Sequence, residues 1–287
     1  MSDSPPAPDL EAGSLFVPVG DAAVLPTDLA RGPWDERSLH GGPTAMLLAH
    51  AVESVSSNLT SSDDEHVDWF VARLTVELER PVPVEPLVVR AEVTRPGRKV
   101  SLVEATLALA ATGRVLARAR ALRIRQADVA LPLDDPELGP LLAHEPAPPA
   151  PDTGSAAGGW AVGYLGFHNA ATEHRVVEGA WERPGPIVDW IRLRVPVLPD
   201  VALTPLQRVA GAADFANGIS GVLPFDSHLF INPDLTIHLF RPPVGEWIAM
   251  ASATHHGPLG VGLSDSALFD VDGRIGRSNQ SLLLDRR

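Results

Sequence analysis

The chain has 287 residues, 45% of them hydrophobic, no cysteine and a formal net charge of −13. That length and apolar share support a large core without disulfides, and the missing cysteines exclude thiolate metal sites and cysteine nucleophiles. The acidic balance argues against a nucleic-acid partner, which needs a basic face, and no apolar run approaches the roughly 18–20 residues of a membrane-spanning helix. A cytoplasmic protein is expected.

In chain order, Met1 to Gly13 is acidic and proline-rich and reads as a frayed tail with no leader. A strand region runs from Ser14 to Val24. A helix follows from Pro43 to Val55, with proline at its favoured first position after His40-Gly41-Gly42. Its apolar residues, among them Met46, Leu47, Leu48 and Val52, cover nearly every side, so it should be buried. Residues 74–81, LTVELERP, alternate apolar and polar as a strand does, and the proline ends the run.

Residues 127–159 are rich in proline, glycine, alanine and acids and read as a partly mobile linker. Beyond it come strands within Val176 to Val197, then a helix from Pro205 to about Ile219 with Thr204 as N-cap. Residues 235–242, LTIHLFRP, repeat the earlier octapeptide in five of eight positions at an offset of 161. Gly113-Arg114-Val115 and Gly273-Arg274-Ile275 match at an offset of 160, which implies a one-residue indel between them and pairs Gln280 with Arg120. Each half thus has strands, one buried helix, and a further run of strands. The expectation is an α+β chain of two such domains, residues 14–126 and 160–287, joined by the linker.

Four places could carry chemistry. Asp214 lies at the edge of an apolar helical stripe, as a desolvated carboxylate or as a helix-end acid reaching solvent. Gln280 shares a strand face with Leu282, which points it inward or to an interface. Asn232, by alternation on one face with Asp234 and Thr236, sits in an Asn-Pro-Asp that is equally good turn chemistry. His40-Gly41-Gly42 sets helix-start N–H groups where a carbonyl oxygen could use them, or is simply a tight turn into a buried helix. No GxSxG, P-loop, GxGxxG or HExxH occurs, so no metal or other cofactor is expected.

Taken in order, GPWDERSLHGGPTAMLLAHAVE, LQRVAGAADFA, DLTIHLFRPPVGEWI and DGRIGRSNQ resemble the double-hotdog thioesterases of the acyl-CoA thioesterase II type, over residues 14–126 and 160–287. The resemblance implies a double hotdog, two long antiparallel sheets each wrapped on one helix. It implies hydrolysis of a fatty acyl-CoA by a water held between an Asp, a Ser or Thr and a Gln. These roles fall on Asp214, Asn232 and Gln280, with an amide where the family has a hydroxyl and Thr236 as a substitute on the same strand. It implies His40, Gly41, Gly42 and Thr236 beside the substrate, acyl-CoA as partner, and a homodimer or higher homo-oligomer, since lone sheet edges need covering. CoA would need a local basic patch, for which the arginines from Arg114 to Arg125 are candidates. The alternatives are a non-catalytic acyl-CoA binding protein and a hotdog hydratase or dehydratase, whose Asp–His motif the Asn232-Pro233-Asp234 fragment does not complete.

Overall fold

The two repeated octapeptides are strands, and they pair with each other. The structure is a computed structural model that describes residues 13–20, 22–55, 68–157 and 163–287. The expected N-terminal tail, apart from Gly13, lies outside the described residues, as do Gly158 and Gly159 of the linker.

The first half contains β1 (Phe16–Val19), β2 (Ala23–Pro26), α1 (Gly41–Ser54), β3 (Trp69–Leu78), β4 (Leu87–Arg95), β5 (Val100–Leu109) and β6 (Val115–Arg125). A single turn, α2 (Gly139–Leu142), and the short β7 (Ser155–Ala156) follow. The second half contains β8 (Thr172–Glu178), β9 (Ile187–Leu193), α3 (Pro205–Ala213), α4 (Ala216–Ile219), β10 (His228–Ile231), β11 (Asp234–Leu239), β12 (Trp247–His256), β13 (Val261–Asp270) and β14 (Gly273–Arg286).

The strands form one sheet in the order β1-β2-β4-β5-β6-β3-β11-β14-β13-β12-β9-β8-β7, with β10 also on β14. Its midpoint is the antiparallel β3–β11 pair, where Thr75 faces its own repeat-mate Thr236. The two halves are therefore related by a pseudo-twofold axis through this pair. Even a bulge recurs, between Leu107 and Ala108 in β5 and between Leu268 and Phe269 in β13.

Period-two alternation decides which face is buried. In β5, Val103, Ala105 and Leu107 are buried and alternate with Glu104 and Thr106. Helices α1 and α3 run against each other in the core. Met46 meets Gly211 at their crossing, where a Cβ on the glycine would stand 2.7 Å from the Met46 sulfur. Each fully buried leucine or isoleucine around this contact stabilises the fold by about 1.5–3 kcal/mol over leaving it in water.

Three expectations change. The helix foreseen from Pro205 to about Ile219 is broken at Asp214 and Phe215 into α3 and α4. Past the hairpin turn the repeat register is 159, because the β5–β6 turn is two residues longer than the β13–β14 turn. Thr75 pairs with Arg120 as Thr236 pairs with Asn279, so the counterpart of Gln280 is Ala121 and not Arg120. The segment expected to be a loose linker is fastened to the second half. The Pro149 carbonyl accepts from Trp190 Nε1 at 2.8 Å, the Glu145 carbonyl accepts from the Arg274 backbone N–H, and β7 pairs with β8. Among the described residues the sheet ends in a strand of four residues, β1, and one of two, β7.

Candidate active site

Asp214 is the residue at which α3 stops, and its carboxylate is nearly buried. Such a group is tolerated only when its oxygens have partners, and three elements supply them. From β14, Gln280 points its Nε2 at the Asp214 carbonyl and at Oδ1, 3.3 and 3.4 Å away. The amide is held that way round because Gln280 Oε1 accepts from the backbone N–H of Asn217 in α4, at 3.1 Å. From the break between β10 and β11, Asn232 Nδ2 donates to Asp214 Oδ1 at 2.9 Å. From the start of α1, His40 Nδ1 lies 2.8 Å from Asp214 Oδ2.

The glycine pair is explained by this crowding. A Cβ on Gly41 would lie 2.6 Å from both Asp214 carboxylate oxygens, and one on Gly42 would lie 2.7 Å from the Phe167 ring. The carboxylate thus rests on the first residue of α1, where the partial positive charge of the helix N-terminus favours an anion. His40 is the N-cap of α1, with its Nδ1 3.0 Å from the Gly42 N–H, and its ring is flanked by Phe167 and Phe215 at 5.1 and 4.8 Å. The Gly42 and Asp214 contacts compete for one ring nitrogen. In one arrangement Nδ1–H donates to Asp214; in the other Nδ1 accepts and a proton resides on the carboxyl.

The sequence-level expectations divide here. Asp214, Asn232, Gln280, His40 and Gly41 come together, and Gly42 caps the arrangement. Thr236 does not join them. Pro233 interrupts the ladder between β10 and β11, so alternation does not carry through it. Asn232 turns in toward Asp214, while the Thr236 hydroxyl lies on the other side, donating to Thr75 Oγ1 at 3.4 Å. The helix-start N–H of Gly42 faces the His40 ring, not open space.

Sequence reasoning missed the His40–Asp214 contact, which exists only because α1 and α3 run antiparallel. It also missed Asn217, three residues after Asp214, whose backbone orients Gln280 while its side chain donates to the Phe230 carbonyl at 2.9 Å.

His40, Gly41, Asp214, Asn217 and Asn232 open onto a cleft of about 410 Å³ between the two halves. The rest of its lining is largely apolar, including Leu78, Val82, Trp181, Phe215, Ile219 and Ile231, with Asp35, Ser38, Glu79 and Arg80 toward one side. Trp181 is fixed from behind by Nε1 donating to Asp189 Oδ2 at 3.1 Å, and Asp189 in turn meets His174 Nδ1 at 2.7 Å. Trp34, which also lines the cleft, packs at a tilt against Phe225 and edge-on against Phe230, with ring centres 4.5 and 5.1 Å apart. Met46 is withdrawn into the helix crossing.

Among the described residues the site is not repeated whole in the other half. The pseudo-symmetric mate of Gln280 is Ala121, while at the repeat offset of 161 the mate of Asp214 is Glu53, whose carboxylate accepts from Thr204, the N-cap of α3, at 2.8 Å. Among the described residues no cluster of acids and histidines could hold a metal, and no helix is long and apolar enough to cross a membrane.

A family model of the acyl-CoA thioesterase N-terminal domain matches residues 30–124, and one of the acyl-CoA thioesterase C-terminal domain matches residues 143–284. No curated protein matches the chain in sequence. Among solved structures, a Thermobifida fusca YX protein assigned as a thioesterase II superposes with a TM-score of 0.71 at 20% identity, over 98% of this chain and 99% of that one. A conserved hotdog-fold protein of Alicyclobacillus acidocaldarius gives 0.67 at 15% identity, over 97% of both chains. The acyl-CoA thioesterase II of Mycobacterium marinum gives 0.60 at 17% identity, over 93% and 92%. At these identities the superpositions speak for the fold, an α+β double hotdog. With both domain models matched in order, the chain belongs to the acyl-CoA thioesterase family of thioester hydrolases.

Proposed function

We propose that this protein hydrolyses fatty acyl-CoA thioesters with a water activated by Asp214. The observation that supports this most is a near-buried carboxylate, held by side chains from three elements, at the base of an apolar cleft. The acyl chain lies along the apolar walls. The water sits between Asp214 and Asn232, whose Oδ1 accepts one of its hydrogens while Nδ2 stays on Asp214. Asp214, backed by His40, takes a proton as the water oxygen bonds to the thioester carbon. The C–S bond then breaks, and the proton passes to the departing thiolate, leaving carboxylic acid and free thiol. A thioester is already activated, so positioning and one base suffice, with no acyl-enzyme. Gln280 fixes the carboxylate, and Gly41 lets it and the substrate carbonyl approach the helix start.

The His40–Asp214 dyad also suits a second reading, acid–base addition of water to an enoyl-CoA. One experiment separates the two. Wild-type protein is given saturated acyl-CoAs of graded length and a matched enoyl-CoA, following thiol release and loss of the conjugated double bond. The proposal expects thiol release from both substrates and retention of the double bond. Loss of the double bond without thiol release would replace it with the hydratase reading.

A further inference from the structure

The pseudo-twofold axis allows each feature of one half to be compared with its mate in the other, and the Arg-Pro that ends the repeated strand differs sharply between them. In the second half Arg241 is fully engaged. Its guanidinium bonds both oxygens of the buried Asp270, at 2.5 and 2.6 Å, and the carbonyls of Gly273 and Arg274. Beside it Arg274 is paired with Glu145, at 2.7 Å, so the polypeptide between the halves lies over this corner.

In the first half the mate of Arg241 is Arg80, and the mate of Asp270 is Leu109. The neutralising carboxylate is thus replaced by a leucine. Among the described residues Arg80 makes no ion pair, and neither does Arg114 on the neighbouring turn. Both guanidiniums are exposed, on a chain with 36 acidic and 23 basic residues. Three arginines of β6 are engaged: Arg118 with Glu79, Arg120 with Glu104, and Arg123 with the Val55 carbonyl. Of the basic stretch marked out in the sequence, Arg114 is the member that faces this corner.

Where the second half is filled, the first half has a pocket of about 430 Å³. Arg80, Arg114 and Arg37 stand around it, with Leu109, Leu116 and Pro83 as an apolar floor. Arg37 is balanced by Asp35 at 3.0 Å, which leaves Arg80 and Arg114 as its net positive charge. Asp35, Ser38, Arg80 and Pro81 are shared with the cleft above Asp214, so the two spaces adjoin.

We infer that the Arg80–Arg114 pocket binds the phosphates of the coenzyme A nucleotide while the acyl chain occupies the adjoining cleft. This rests on the thioester reading of that cleft. Guanidinium groups suit phosphate because they donate two parallel hydrogen bonds as well as charge. The apolar floor offers the adenine a face.

The test is calorimetric binding of free CoA, dephospho-CoA and pantetheine to wild type, Arg80→Gln, Arg114→Gln and the double variant, with Arg120→Gln as control. Each of the two arginines is expected to contribute about tenfold in CoA affinity. Pantetheine affinity and the control should not change, and CoA binding should weaken with added salt. Wild type that binds CoA no better than pantetheine, or a double variant that keeps full CoA affinity, would overturn the inference. Because binding is read without turnover, arginine-dependent CoA binding by a protein that cleaves no thioester would sink the hydrolase reading alone.

Discussion

Asp214 shows how much of a site one residue can imply. A carboxylate at the edge of an apolar helix demands partners, and Gln280, on an inward strand face, is one of them. Both were legible in the sequence because burial of a polar group is the informative exception. The His40 contact was not, because it joins two helix ends more than 170 positions apart and depends on how the helices cross. The glycine gives a sharp prediction. Gly41→Ala must move the carboxylate, so kcat should fall by about a hundredfold, the scale of a misplaced reacting group, while circular dichroism stays native. Asn232 can be probed by shape and chemistry. Asn232→Thr, which restores a hydroxyl, should keep turnover within about tenfold, and Asn232→Leu should lose about a hundredfold or more.

At the level of elements, β11 and β14 place the site, and their hairpins hold it. Asn232 reaches Asp214 only because Pro233 divides β10 from β11 and both pair with β14. Simple alternation across that proline sets Asn232 and Thr236 on one face, and the broken ladder is why the two part. The repeat register slipped for a similar reason: Gly-Arg occurs in both turns, but the first turn is two residues longer, so matching letters are not matching places.

The β13–β14 turn is fixed by Arg241 and Asp270. Burial pushes the Asp270 carboxyl up, but hydrogen bonds from Arg241 and from the Val244 and Asp272 backbones outweigh it and hold the group below its ordinary value. A carboxyl lowered by folding stabilises the native state above its unfolded pKa, and that contribution is lost as pH falls through the lower, folded value. Asp270→Asn should therefore cost about 3 kcal/mol at neutral pH, as for a broken buried pair. In acid the gap to wild type should close, which chemical denaturation at a series of pH values would reveal.

For the whole molecule, the doubled plan was legible because two copies of one strand motif survive in the sequence. That these strands pair with each other is a property of the assembled sheet. The same pairing predicts what a single half would do. Residues 13–126 alone would expose β3, a ten-residue edge whose stretch freed from β11, Arg73 to Glu77, is centred on Thr75. Such an edge invites pairing, and β3 should pair with itself about Thr75, giving a twofold dimer by sedimentation. A stable monomer would argue against the axis as the organising feature. The axis also shows that the site was not duplicated whole, since Ala121 stands where a second Gln280 would be.

The most direct test of the account is steady-state thiol release from acyl-CoA by wild type and Asp214→Asn, each checked for native circular dichroism. The substitution keeps the size of the side chain and removes its charge. We expect kcat to fall by about a hundred- to ten-thousand-fold with KM little changed. An Asp214→Asn protein that turns over at the wild-type rate would contradict the assignment of Asp214 as the base.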